Sequence, residues 1–288
     1  MKKMAVLIGL LCILLAGCAP KEAPAQVAAT TLPVYEFSSR LCQGTDISVT
    51  RLVTESVSCL HDYSLCVSQV RAVETSEVVV LSGAGLEDFL ADVVGDKPTV
   101  DSSEGIELLE CGHDHDHDHE HEHEHDAHIW LSPANAKIMA QNICAGLSRS
   151  YPDHAAAFSA NLESLLAEID ALEGYGKEQL SGLSCRELIT FHDGFAYFAD
   201  AFDLTILEAI EEESGSEASA AELKHLIEMA REHDLPAIFT EQNGSASAAA
   251  ILSSETGAKS FALDMAMSGE SWFAAMYHNI DTLKEALG

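Results

Sequence analysis

Histidine, with carboxylates beside it, is the residue type in this chain whose spacing carries chemistry. Of 14 histidines among 288 residues, seven alternate with acidic residues at His113, His115, His117, His119, His121, His123 and His125, before Asp126 and His128 close the run. Neutral imidazole and carboxylate are both zinc ligands, and at this density they offer many weak, exchangeable sites. Such sites discriminate poorly between zinc, nickel and copper, because affinity there follows each metal's intrinsic order. No core can be built from this segment, so it reads as a solvated loop that collects metal near a tighter site. The bland alternative is a loop with no role.

A tight site needs ligands held by rigid elements, and three histidines that stand singly meet that need. His61 lies in Cys59-Leu60-His61-Asp62-Tyr63, after a strand ending near Val53. His128 lies in Asp126-Ala127-His128-Ile129-Trp130-Leu131-Ser132-Pro133, and His192 follows a strand directly in Thr190-Phe191-His192-Asp193-Gly194-Phe195. In open α/β sheets ligands bind beyond the carboxyl ends of strands, so all three can converge on one cleft. Asp264, ending the last strand, is the natural fourth group, and three imidazoles with one carboxylate suit tetrahedral zinc. His154, His225, His233 and His278 sit on helices or helix ends with no partner at ligand spacing and read as surface residues.

The elements that position these groups follow from periodicity. Short apolar runs alternate with amphipathic stretches, the pattern of βα units on parallel sheets. Strands are predicted at Val27–Thr31, Ile47–Val53, Val78–Leu81 and Thr99–Val100, with helices at Val34–Cys42, Ser68–Thr75, Leu86–Val94 and from Ser132-Pro133 to Arg149. Apolar residues at Phe158, Leu162, Leu165, Leu166, Ile169 and Leu172 then predict one helix of about 25–28 residues, roughly 40 Å long. Strands resume at Glu187–Phe191, Thr205–Ile210, Ala237–Thr240 and Lys259–Asp264. Helices follow at Phe195–Ala201, Ala220–Glu232, Ser245–Glu255 and Ser271–Leu287. The expected architecture is two parallel-sheet βα lobes, residues 30–150 and 182–288, joined by a linking helix over 151–181. The His/acid loop, 113–126, belongs to the first lobe.

Composition narrows the function. There are 47 acidic against 15 basic residues, for a formal charge of −32. Such a surface repels phosphate backbones and anionic membranes, which excludes nucleic-acid binding, and it concentrates cations. Residues 1–17 read as a signal segment, with Lys2 and Lys3 before the apolar run Met4–Leu15, which is too short to span a bilayer comfortably. Leu15-Ala16-Gly17-Cys18 resembles the bacterial lipobox, and this implies cleavage before Cys18 and a lipid anchor on it. Residues 18–29 suit a flexible tether. Outside the cytoplasm the remaining cysteines, Cys42, Cys59, Cys66, Cys111, Cys144 and Cys185, are expected to form disulfides, including at least one bridge in the first half.

Leu60-His61-Asp62-Tyr63, His128-Ile129-Trp130-Leu131-Ser132-Pro133 and Phe191-His192-Asp193-Gly194-Phe195-Ala196-Tyr197-Phe198, in that order, resemble the zinc- and manganese-binding lipoproteins of ABC importers. The resemblance extends to Thr31-Leu32-Pro33, the His-rich insertion, the long helix and Phe239-Thr240-Glu241-Gln242. It implies a rigid linking helix and a metal ion in the interlobe cleft, held by His61 and His128 from the first lobe and His192 and Asp264 from the second. Histidine at 192, where manganese-preferring members carry glutamate, points to zinc, with manganese or another divalent transition metal as alternatives. Glu241 is expected to hydrogen-bond a ligand imidazole and so fix its tautomer. Two departures stand out. Ala127 replaces a proline before His128, which should loosen the approach to that ligand. Leu263-Asp264-Met265-Ala266-Met267 replaces Leu-Asp-Pro-Leu-Gly, which makes Asp264 the least secure ligand.

The implied function is capture of a divalent metal by a monomeric, lipid-anchored, extracytoplasmic protein that hands it to an ABC permease. Affinity should fall as pH drops through the histidine range near 6.5, and release should follow a modest lobe or loop shift because the long helix resists a wide hinge. Two other readings compete. One is a metal-storing or adhesive surface lipoprotein that works through its His-rich loop. The other is a zinc hydrolase, against which stands the lack of a Gly-x-Ser-x-Gly motif and of any His-Glu-x-x-His outside the low-complexity run, where simple alternation produces it at His119 and His121.

Overall fold

Val27–Ala29 (β1) and Val78–Leu81 (β3) contain no charged residue, and in the computed structural model they lie side by side at the centre of a sheet, buried almost throughout. The structure describes residues 25–55, 60, 63–110, 125–209, 219–241 and 246–288. The predicted signal segment, Cys18, most of the tether, His61 and His113 to His123 lie outside the described residues. Val49–Arg51 (β2) and Thr99–Asp101 (β4) complete a four-stranded parallel sheet in the order β2-β1-β3-β4, and their polar residues suit its edges. Glu187–Thr190 (β5), Thr205–Ala209 (β6), Ala237–Glu241 (β7) and Lys259–Leu263 (β8) form a second parallel sheet in the order β6-β5-β7-β8. Each sheet therefore changes winding direction between its two central strands, which opens a crevice at their carboxyl ends.

Helices cover these sheets: Leu32–Leu41 (α1), Val67–Thr75 (α2), Ala91–Val94 (α3), Pro133–Ser150 (α4), Ala155–Gln179 (α5), Ala196–Ala201 (α6), Ala220–Glu232 (α7), Ala246–Thr256 (α8) and Trp272–Leu287 (α9). The start of α4 follows the predicted signal, since the Ser132 hydroxyl accepts from Asn135 N and Pro133 opens the helix. The linking helix α5 has 25 residues, about 38 Å. Phe158, Leu165, Ile169 and Leu172 are buried along one stripe, each worth roughly 1.5–3 kcal/mol. Its neighbours are α1 and α4 of the first lobe and α9 of the second.

One expected helix is shortened. Instead of Leu86–Val94 there is a 3-10 turn at Asp88–Leu90 and then the single turn α3. The chain leaves β3 through Gly83, Ala84 and Gly85, all with positive φ (88°, 55° and 80°), a path incompatible with a right-handed helix. The Glu87 side chain turns back to hold that path, accepting from the Thr30 hydroxyl (2.6 Å), Ser82 N–H (2.7 Å) and Gly83 N–H (3.0 Å). It thus fills the first sheet's crevice with the chain's own carboxylate.

Burial pushes the Glu87 carboxyl up to about 7, against the opposing pull of its three donors. Because the folded value lies above the ordinary one of 4.5, its contribution to stability is complete below about pH 4.5 and is lost as pH rises through about 7. A carbon-13 titration of this carboxyl should show a midpoint near 7; a midpoint below 5 would contradict the assignment.

The lobes share one hydrophobic cluster that includes Phe37, Trp130, Leu188 and Trp272. Trp130 Nε1 donates to Met265 O (2.8 Å) and Trp272 Nε1 to Trp130 O (3.0 Å), so the two tryptophans stitch the lobes through buried hydrogen bonds. Glu36 of α1 caps α9 of the other lobe by accepting from Trp272 N (2.6 Å), while Arg40 lies over the Phe273 ring at 4.5 Å.

Among the described residues no disulfide is formed, and the first-half cysteines Cys59 and Cys111 leave the expected bridge there untested. Cys42, Cys66, Cys144 and Cys185 carry free thiols; Cys59 and Cys111 lie outside the described residues. Cys42, at the end of α1, and Cys144, on the inner face of α4, serve instead as small apolar core residues, and burial pushes the Cys42 thiol up to about 12. Among the described residues no helix is long and apolar enough to cross a membrane.

Candidate metal centre

The second sheet's crevice opens between β5 and β7, and each strand delivers one functional side chain to it. His192 lies two residues beyond Thr190, where β5 ends, and the Thr190 hydroxyl donates to His192 O (3.0 Å). Glu241 is the last residue of β7. His128 arrives from the first lobe, immediately before the buried 3-10 turn Ile129–Leu131. Anchored by Trp130 through Met265 O, that turn carries the imidazole across the lobe boundary.

His128 and His192 meet with their Nε2 atoms 3.3 Å apart and their rings perpendicular. Each ring is backed at Nδ1 by a carboxylate, Asp126 Oδ1 at 2.7 Å from His128 and Glu241 Oε1 at 3.3 Å from His192. The hydrogen bond to Asp126 favours a proton at Nδ1 of His128, and the Glu241 carboxylate beside His192 favours the same tautomer there, which would turn both Nε2 lone pairs toward the same space. At this separation two lone pairs repel unless a proton or a cation lies between them. Two nitrogens on one tetrahedral zinc, bonded at about 2.0–2.1 Å each, stand about 3.3–3.4 Å apart. The observed spacing matches that edge.

The centre is largely sheltered from water, with side-chain exposures of 7% for His128, 6% for Asp126, 14% for His192 and 9% for Glu241. Gly194 walls it closely. A Cβ there would lie 2.8 Å from His192 Cδ2, 3.1 Å from His128 Cε1 and 2.5 Å from Met265 Cε. A side chain at 194 and two converged imidazoles exclude each other.

Of the residues predicted from sequence, His128, His192 and Glu241 come together. Asp264 does not join them: among the described residues no three His, Cys, Asp or Glu side chains form a group able to hold an ion. Its Oδ1 instead accepts from Ala266 N (2.8 Å), and Ala266 has φ 54°, a left-handed conformation that this hydrogen bond supports. Asn279, fully buried on α9, fixes the Asp264 backbone on both sides, accepting from its N–H and donating to its carbonyl at 2.7 Å each. His61 lies outside the described residues, but its neighbours are anchored in the first lobe. Leu60 is buried, and the Tyr63 hydroxyl donates to Glu55 while its ring meets Phe89 edge-on. His125 pairs with Glu110 in an antiparallel bridge at the base of the His-rich segment, at the surface rather than in the crevice.

Three residues at the centre escaped the sequence reading. Asp126 had been counted as the last acid of the His-rich run, although a carboxylate two residues before a candidate ligand was a usable signal. Gly194 and Tyr197 stand in the motif that carries the resemblance, but nothing in their spacing gave either a role. The approach to His128, expected to be loose without a proline at 127, is held instead by Asp126 Oδ1, which also accepts from His128 N (2.8 Å).

Known proteins share this fold. The chain is 30% identical over 307 residues to the zinc-binding lipoprotein AdcA of Streptococcus pneumoniae serotype 4, a match covering 99% of the chain and 61% of that relative, so it spans under two thirds of the longer protein. It is 26% identical to a putative metal-binding protein of Treponema pallidum, covering 86% of the chain and 83% of the relative. Among solved structures, a crystal structure of ZnuA superposes with a TM-score of 0.79 at 29% identity, covering 92% of this chain and all of that one. The Zn(II)-bound ZnuA-like domain of Streptococcus pneumoniae AdcA superposes with a TM-score of 0.77 at 26% identity, covering 91% and 98%. Residues 27–286 match the family described as zinc-uptake complex component A, periplasmic, and with its two α/β lobes and shared interlobe crevice the chain belongs to that family.

Proposed function

We propose that this protein captures one zinc ion between its lobes and passes it to the permease of an ABC importer. The observation that carries the reading is the pair of Nε2 atoms at 3.3 Å, one from each lobe, each with a carboxylate behind it. His61, His128 and His192 are the proposed ligands. Asp264, whose Oδ1 accepts from Ala266 N and whose Oδ2 remains as a donor atom to the metal, is the proposed fourth, and a water molecule is its rival for that position. Relatives named for zinc binding support the choice of metal, and the strongly acidic chain supports a cationic cargo. Manganese and other divalent ions remain competitors for the same nitrogens, less suited to an imidazole-rich set. Cys18 is the proposed lipid attachment that keeps the protein at the outer face of the cell membrane, with His113 to His125 as an auxiliary collector.

Competition against chelators of graded affinity, followed by elemental analysis, tests this. One zinc per chain should survive deletion of residues 113–125 and should be lost in His61→Ala and His192→Ala. If tight binding disappears with the loop instead, the protein is a storage or surface protein working through that loop. The buried tryptophan stitches and the Glu36 cap imply that zinc changes the overall dimensions little. Solution scattering that shows wide closure on adding zinc would contradict this.

A further inference from the structure

We propose that Tyr197, on the second lobe, is a positioning residue for His128 on the first. Tyr197 is buried on α6, five residues beyond His192. Its hydroxyl accepts from Leu109 N–H (2.9 Å) and donates to Asp126 O (2.9 Å). Leu109 O in turn accepts from Asp126 N–H (2.9 Å), and Glu110 bridges His125. One phenol therefore ties together the two chain segments on either side of residues 111–124 and fixes both to the lobe that carries His192.

What makes this tie matter is the state of the Asp126 carboxylate. Among the described residues Oδ1 meets only His128, at its N–H and at its Nδ1, and Oδ2 is buried with no hydrogen-bond partner. A carboxylate held at one oxygen alone is free to swing, so its aim at the imidazole depends on where its own backbone sits. That backbone is held by Leu109 on one side and the Tyr197 hydroxyl on the other. A metal-bound imidazole owes both tautomer and ring orientation to the group at its other nitrogen. Tyr197 acts on His128 through Asp126, across the lobe boundary and without touching the metal.

This inference rests on the proposed role of His128 as a ligand, and the experiment separates the two. Zinc affinity of the full chain is measured by chelator competition for wild type, Tyr197→Phe, Asp126→Ala, Asp126→Asn, the Tyr197→Phe/Asp126→Ala double variant and His128→Ala. Losing the carboxylate should cost about 10- to 100-fold and losing the phenol oxygen about tenfold. Asp126→Asn, which keeps an acceptor for both His128 bonds, should recover part of the loss. The double variant should bind no more weakly than Asp126→Ala alone, because the phenol works only through that carboxylate. The nitrogen-15 shifts of the His128 ring should show the Nδ1-protonated tautomer in wild type and a mixture in Tyr197→Phe.

Additive losses in the double variant, or an unchanged His128 tautomer in Tyr197→Phe, overturn the proposal while leaving the ligand assignment standing. Wild-type affinity in His128→Ala overturns both. If Tyr197→Phe folds poorly, hydrogen exchange in the native chain reads the same bond. The Leu109 amide should be protected, and exchange at the rate of an open loop amide overturns the proposal.

Discussion

His128→Ala is expected to weaken zinc binding by about 100- to 1,000-fold while leaving the fold intact. The magnitude follows from sharing the roughly 10–16 kcal/mol typical of a structural four-ligand zinc site among its ligands, about 2.5–4 kcal/mol each. Among the described residues no group of three His, Cys, Asp or Glu side chains stands ready to take the ring's place. Removal of the ring also leaves Asp126 buried with nothing to orient, a cost that falls on the apo protein and shows as a lower melting temperature rather than a lower affinity. Calorimetric or competitive titration of the metal-free variant is the check. A loss smaller than about tenfold would mean that His128 is not a ligand.

The second large effect is expected at a residue with no functional group. Gly194→Ala should reduce zinc affinity by about 10- to 100-fold, comparable to losing a group that orients a ligand. The added methyl would stand 2.5 Å from Met265 Cε, 2.8 Å from His192 Cδ2 and 3.1 Å from His128 Cε1. Met265 is cheap to displace, since its thioether end is flexible. The imidazoles are costlier to move, because His128 would lose its bond to Asp126 and His192 its approach to Glu241. The methyl must therefore either spread the Nε2 atoms beyond a zinc-sized edge or pull a ring off its carboxylate. Both outcomes spoil a site that needs its groups within roughly 0.5 Å. Gly194 has no left-handed backbone conformation, so the variant carries no backbone strain and should fold. Unchanged affinity in a folded Gly194→Ala would mean that the two rings need not converge as they do here.

Much of the architecture was legible because it is written in local periodicity. The runs at Val78–Leu81 and Ala237–Thr240 are short, apolar and bounded by turn residues, and they became central strands. The stripe Phe158, Leu165, Ile169 and Leu172 became the buried face of a 25-residue helix. The helix expected from Leu86 failed for a nonlocal reason: Glu87 bonds Thr30, 57 residues away, and keeps the turn after β3 open. Disulfides were inferred from compartment and count, yet Cys42 and Cys144 are simply part of the core. At the centre, the residues named from sequence at His128, His192 and Glu241 lie side by side in the structure. What no single segment could report for Asp264 is that its Oδ1 also accepts within the turn that holds Ala266 in its left-handed conformation.

The sequence by itself determined the ligand chemistry, the two βα lobes and the long helix between them, since imidazoles, carboxylates and hydrophobic spacing act within one element or its immediate flank. Only the tertiary structure decided which nitrogens face each other, which carboxylate backs which ring, and that a glycine and a tyrosine shape the centre. His128 and His192 are 64 residues apart, and Tyr197 reaches Asp126 across 71. Contacts of that range exist only after the lobes have docked around Trp130 and Trp272, and the periodicity of a single segment reports its own burial, not what it will meet.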